Sequence, residues 1–303
     1  MTKGILVSVV VCARRPTDRL RSCLQSLAKQ SYENWEIVLV IPSRNKQLTD
    51  LLTGVGHLAK IRIVEGDFGV SQARNLGAGI ALGEIVAFID DDAVATQAWL
   101  DSILSTSQAG YHIVGGPIIP IYLAKPSAWW NEKLAEYLGK NPEGTIYGGN
   151  LAVSKAVFEK LGGFDPRLGM REGKLLSNEE MYFLKRASEK GYRSRFAPCI
   201  QVYHVIPSSK LSFSYLMKRA FWQGISDARL SWIEGSSLVE TSSETARETI
   251  VCLVSFFSVR SAAGRAVSVL ELMRNLGVLA GSSRPVSCAL FDHWDQRMNS
   301  LCK

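Results

Sequence analysis

The 303-residue chain is 47% hydrophobic and 9% aromatic, a globular balance that excludes global disorder and allows one large α/β domain or a domain with an appendage. Its formal charge of +7 and pI of about 9.1 favour anionic partners: sugar nucleotides, lipid phosphates, acidic membrane surfaces or nucleic acid. The absence of an RNA-recognition aromatic motif, zinc-finger spacing and a long basic run sets nucleic acid aside.

Ile5 to Val11 is β-rich and nearly all apolar, as in a strand covered on both faces of a parallel sheet. Pro16 and Thr17 can open a helix in which Leu20, Cys23, Leu24 and Leu27 share one face. Trp35 to Ile41 and Ile61 to Val64 read as the next strands. Ser71 is expected to cap a helix reaching about Leu82, and Ile85 to Ile89 is a fourth apolar strand. Further candidates are a strand over Ile113 to Ile119, a helix over Ser177 to Lys190 ended by Gly191, and a strand from Phe196 to Tyr203 that ends at His204. The alternation predicts a doubly wound, mostly parallel sheet with ligands at the carboxyl ends of its strands. Beyond Pro207 the pattern becomes helical. The expected division is therefore a nucleotide-binding catalytic domain over 1–206 and a helical C-terminal region over 207–303.

Six cysteines, at positions 12, 23, 199, 252, 288 and 302, form no C-x-x-C pair, and several have apolar neighbours, which points to a reducing compartment. The apolar run before Arg14 and Arg15 has the wrong order of parts for a secretory signal. The longest apolar stretch, Thr249 to Val259, falls short of the ~18 residues that span a bilayer. The expected location is the cytoplasm.

Asp90-Asp91-Asp92 directly follows the strand Ile85-Val86-Ala87-Phe88-Ile89. Three carboxylates crowded at a strand end call for a compensating cation or strong donors. Oxygen ligands suit Mg²⁺ or Mn²⁺, which neutralises charge on a leaving diphosphate. A solvated acidic turn is the alternative.

The Val7 to Cys12 strand, Gly69-Val70-Ser71-Gln72-Ala73-Arg74-Asn75, Phe88 to Asp92, Gly148-Gly149-Asn150, Leu161 to Asp165 and Val202-Tyr203-His204 occur in one order over about two thirds of the chain. This ordered set resembles the family 2 glycosyltransferases, whose nucleotide-binding fold carries a D-x-D motif. Phe88 to Ala95, Pro126 to Trp130 and Arg219 to Gly224 resemble the subgroup containing glucosyl-dolichyl phosphate glucuronosyltransferases, which act on lipid-linked acceptors. The resemblance implies a GT-A-type fold with a helical C-terminal region. It also implies a nucleotide-sugar donor, a glycan or lipid-linked acceptor, and membrane contact on the cytoplasmic face.

Carried over residue by residue, the resemblance makes Asp90 a contact to the nucleotide ribose or the cation, Asp92 a cation ligand, and Asp91 a spacer within the donor site. Arg74 supports the nucleotide pocket electrostatically, and Ala13 lies in the first turn, which reads Cys12-Ala13-Arg14-Arg15 where T-Y-N-R is usual. Glu180 stands at the family's acidic pair as the base that deprotonates an acceptor hydroxyl, with Glu179 next in line. A family aspartate more often fills Glu180's position. His204 is a further cation ligand or diphosphate contact.

From Lys190 to Ser226 the chain has six Lys or Arg and no acid, and Arg219 beside Phe221 and Trp222 is the preferred phosphate contact. Trp129, Trp130 and Trp222 suit sugar stacking, a membrane headgroup layer or core packing.

The turn Ile41-Pro42-Ser43-Arg44 lacks the acidic residues with which relatives recognise the nucleobase, leaving the donor base open. Gly77-Ala78-Gly79-Ile80-Ala81-Leu82-Gly83 imitates a dinucleotide-binding motif, but the glycines precede their strand, which excludes that reading. A nucleotidyltransferase would carry a glycine-rich loop after the first strand, whereas Val11 to Pro16 has no glycine. A non-catalytic nucleotide-sugar-binding protein is the remaining alternative.

Overall fold

The computed structural model describes residues 4–42, 46–53, 55, 60–66, 69–171, 173–236, 245, 248–249, 252 and 261–282. Strand β1 (Val7–Cys12) leads through Thr17 into α1 (Asp18–Ala28), whose first turn is capped by the Thr17 hydroxyl accepting from Leu20 N. There follow β2 (Trp35–Ile41), α2 (Lys46–Thr53), β3 (Ile61–Glu65), α3 (Val70–Ile80) and β4 (Ile85–Asp90). Beyond these lie β5 (Ala93–Ala95), α4 (Trp99–Gln108), β6 (Ile113–Gly115), β7 (Ile118–Tyr122), β8 (Asn150–Ser154), α5 (Lys155–Lys160), α6 (Glu179–Glu189), β9 (Ser194–Phe196) and β10 (Val202–Ile206).

Seven strands form one sheet in the order β3-β2-β1-β4-β8-β6-β9, and β8 runs antiparallel to both of its neighbours. The rest are parallel, as the α/β reading requires. Alternate residues explain the apolar runs: Val9, Leu39 and Ala87 face one core layer, while Val10, Val38 and Phe88 face the other. On the second face Phe88, Phe158, Phe164 and Phe183 interlock with ring centroids 5.2 to 5.4 Å apart. Such tilted contacts add about 0.5–1.5 kcal/mol per pair to the burial itself. Gly77 lies where a Cβ would meet Val10 Cγ1 at 2.5 Å, so this glycine lets α3 approach the sheet closely.

Three local expectations are corrected. Ser71 does not cap α3: Gly69 is the N-cap residue, and the Ser71 hydroxyl, already inside the first turn, donates to the Leu168 carbonyl at 2.7 Å. The run from Ile113 to Ile119 is two strands, because Gly116-Pro117 interrupts it. Pro117 cannot donate to a ladder. The stretch from Phe196 to Tyr203 is likewise divided at Ala197 to Gln201, and β10 continues past His204 to Ile206.

These breaks build a second sheet of order β5-β10-β7. In it His204 lies opposite Ala93, directly after the aspartate triplet. Asn150, with no exposed surface, secures the arrangement by donating to the carbonyls of Pro117 and Ile200 while accepting from Trp99 Nε1 at 2.9 Å.

The chain divides into two compact units: 1–123, 139–172 and 179–206 form one, and 124–138, 173–178 and 207–303 form the other. The second contains a 3-10 segment (Glu132–Leu138), α7 (Phe213–Ile233) and α8 (Ala262–Ser282). The last two helices cross backbone to backbone, since a Cβ on Gly224 would strike the Arg274 carbonyl and one on Gly277 the Phe221 carbonyl. Trp222 is buried there with Leu176, Phe221 and Ile225, so core packing is its role. Of the stretch Thr249 to Val259, all but Thr249 and Cys252 lie outside the described residues. Among the described residues no helix is long and apolar enough to cross a membrane.

Candidate active site

The carboxyl ends of β1 and β4 lie side by side, with Cys12 opposite Asp90. Ala13, buried just beyond β1, donates its backbone N–H to the Val40 carbonyl at 2.9 Å. Burial, assisted by Asp90 and Asp91 and opposed by Arg74, pushes the Cys12 thiol up to about 12. The thiol stays protonated near neutrality and is a poor nucleophile. Cys23 is raised for the same reason, and its thiol donates to the Asp90 carbonyl at 3.5 Å.

Arg74 projects from α3 and is only 6% exposed. Its Nη2 donates to Asp90 Oδ1 and its Nη1 to Glu179 Oε1, each at 2.8 Å. Burial works against the guanidinium charge, but Asp90 and Glu179 more than offset it, so its pKa rises. The guanidinium therefore keeps its charge despite its burial. The next residue, Asn75, exchanges two hydrogen bonds with the backbone of Phe164, at 2.8 and 2.9 Å. This ties α3 to the Leu161-Gly162-Gly163-Phe164-Asp165 turn.

Glu179 and Glu180 open α6. Arg74 neutralises the first. The second keeps a buried Oε2 with no hydrogen-bond partner among the described residues, as does the Oε2 of Glu179. Burial, then repulsion from Glu179, lifts Glu180 to about 8 against the partial relief given by backbone hydrogen bonding and Arg74. A carboxylate pushed to that value is a suitable general base near neutral pH.

Asp92 and His204 meet across the second sheet, with Nε2 to Oδ1 at 3.2 Å, and Asp92 also accepts from Arg19 Nη1 at 3.4 Å. Arg19 escaped the sequence reading because a helix arginine carries no motif. Asp90 turns its carboxylate to Arg74 instead. Among the described residues no three His, Cys, Asp or Glu side chains converge as a ready-made cation cage. Mg²⁺-type sites often need only one or two protein carboxylates, the rest coming from phosphates and water.

Arg219 belongs to the second unit, where Nη1 donates to the Leu175 carbonyl at 3.1 Å. The basic run is thus divided: Arg193, just before β9, and Arg195, within it, lie over the Tyr111 ring, while Lys210, Lys218 and Arg219 lie in the other unit. Trp129 packs edge-on against Phe213 at 5.2 Å and beside Trp130 at 6.2 Å. Within the nucleobase turn, Ser43 and Arg44 lie outside the described residues.

Residues 8–162 match the profile of Glycosyl transferase family 2. The glucosyl-dolichyl phosphate glucuronosyltransferase of Haloferax volcanii is 27% identical over 73% of this chain and 75% of its own length. Glycosyltransferase AglE of the same organism is 26% identical over 77% of this chain and 76% of its own. Among solved structures, the mannosyltransferase PcManGT of Pyrobaculum calidifontis, in complex with GDP-Man and Mn²⁺, superposes with a TM-score of 0.55 at 16% identity. That likeness covers 97% of this chain and 81% of PcManGT.

Proposed function

The chain belongs to glycosyl transferase family 2, and on that premise we propose that it moves a sugar, with inversion, from a nucleotide-sugar donor to a hydroxyl of a glycan or lipid-linked acceptor. The single observation that carries the proposal is the pairing of an Arg74-bound Glu179 with a Glu180 whose buried Oε2 has no hydrogen-bond partner among the described residues, a setting that pushes its pKa up.

Glu180 Oε2 accepts the acceptor hydroxyl proton as that oxygen forms a bond to the anomeric carbon. The bond from the same carbon to the diphosphate oxygen breaks, and the diphosphate leaves with the electron pair. One displacement from the opposite side inverts the centre. Cys12 and Cys23, held protonated beside the aspartate triplet, are poor nucleophiles for a covalent intermediate.

Asp92 and His204 fit a hard divalent cation, because they offer a carboxylate oxygen and an imidazole nitrogen at one point. Asp90, from its place one residue short of the D-x-D spacer Asp91, completes the donor side toward the ribose or the cation. When bound, Mg²⁺ or Mn²⁺ supplies neutralisation of the leaving diphosphate. The Mn²⁺ and GDP-Man of PcManGT support this class of donor, and the dolichyl phosphate relative supports a lipid-linked acceptor. We assign catalysis to residues 1–206 and acceptor or membrane contact to residues 207–303, with Arg219 facing a phosphate. A net charge of +7 suits peripheral work on the cytoplasmic face of an anionic membrane.

A thermal-shift screen against a panel of nucleotide sugars, with and without Mn²⁺, tests the proposal, since ligands of the native state raise its apparent stability. A Mn²⁺-dependent rise with donors of one nucleobase supports it and identifies the base. No rise with any donor, for folded protein, contradicts it and favours a non-catalytic role.

A further inference from the structure

We propose that Arg74 is a positioning residue that locks the donor-side carboxylate Asp90 to the acid pair of α6, and that Gly148 and Gly149 are required because they vacate the space this bridge fills. The inference rests on the transferase reading and adds to it the device that aligns the two halves of the reaction.

Arg74 uses separate nitrogens for two carboxylates from different elements: Asp90 ends β4 and Glu179 opens α6, both at 2.8 Å. A planar guanidinium holds its donors in a fixed fork, so displacement at one carboxylate is transmitted to the other. Glu180 follows Glu179 in the first helical turn, and fixing one fixes the backbone origin of the other.

The segment before β8 is shaped around this bridge. A Cβ on Gly148 would lie 2.5 Å from Arg74 Nη1, and one on Gly149 would lie 2.5 Å from Asp90 Oδ2. Neither glycine has a left-handed backbone, so alanine is opposed by space alone and would have to displace the Arg74 or Asp90 side-chain end that it meets. Two consecutive glycines thus guard the two ends of one ion pair. By contrast, nothing lies within 4 Å of a Cβ built on Gly79, on the same helix as Arg74.

The test is a cycle of Gly148→Ala, Arg74→Lys and the double variant, with Gly79→Ala as control. Steady-state turnover is measured beside calorimetric affinity for the nucleoside diphosphate of the active donor with Mn²⁺. Misplacement of the base by a fraction of an ångström should lower kcat by about 10- to 100-fold in each single variant. Donor affinity should change far less, and Gly79→Ala should match the wild type. Lysine removes the nitrogen that alanine would strike, so the double variant should be no worse than Arg74→Lys alone.

Wild-type kcat in Gly148→Ala, or losses that multiply in the double variant, would overturn the proposal. If the wild-type protein turns over no donor, the transferase reading fails by itself. The same cycle in urea unfolding then decides the bridge: non-additive stability losses retain it, and additive losses remove it.

Discussion

Replacing Glu180 by glutamine removes a charge that the fold accommodates poorly, and the structure sets the sign and size of the effect. The folded carboxyl sits near 8 against an ordinary 4.5. The native state therefore binds more protons than the unfolded chain between these values, and its stability falls as pH rises through them. Each pH unit is worth about 1.4 kcal/mol, so the ionised group burdens the fold above pH 8 by on the order of 5 kcal/mol. Glutamine lacks that charge but places an amide where Oε2 has no partner among the described residues, at a cost of about 1–3 kcal/mol. The net expectation is a variant more stable by roughly 3 kcal/mol at pH 9 and slightly less stable than wild type at pH 5. Melting curves in metal-free buffer across that range provide the assay, and roughly 3 kcal/mol corresponds to a shift of about 6–12 °C. Parallel pH dependences for the two proteins would refute the assignment of the raised carboxyl to Glu180.

Three further outcomes follow from the geometry. Asp92→Asn should abolish Mn²⁺-dependent donor binding in calorimetry, and retention of that binding would move the cation elsewhere. Asn150→Ala should cost on the order of 3 kcal/mol in urea unfolding, because it leaves Trp99 Nε1 and the Ile200 carbonyl without the partner Asn150 supplies, while the Pro117 carbonyl keeps its bond from Val202 N. Gly224→Val should lower the melting temperature by roughly 10 °C, since the added side chain collides with the Arg274 carbonyl at the α7–α8 crossing.

The parallel strands were legible because both sheet faces are covered: Val7 to Cys12 and Ile85 to Ile89 had to be almost wholly apolar. α1 was equally plain, since Leu20, Cys23, Leu24 and Leu27 all face the core. The second sheet was not legible. β5 has three residues, and β7 and β10 are continuations of apolar runs whose breaks at Gly116-Pro117 and Ala197 to Gln201 change the sheet they join. Short strands carry too little periodicity to reveal such a switch.

The site was legible as a set of residue types and illegible as a set of contacts. Arg74 was anticipated as an electrostatic support of the nucleotide pocket, and two carboxylates hold it. Gly148-Gly149 stood out as a block, but its meaning required the position of the guanidinium. Ser71 has the chemistry of a cap and serves instead as a donor to Leu168, one turn position decided by where the helix begins.

The most direct test of the central claim compares Glu180→Gln with the wild type using the donor identified by thermal shift and an acceptor-containing lipid extract. Nucleoside diphosphate release and donor affinity are measured on the same preparations. A general base predicts donor affinity within about twofold of wild type and release reduced by about 10²- to 10⁴-fold. Release at the wild-type rate would contradict the account and move the proton acceptor away from Glu180.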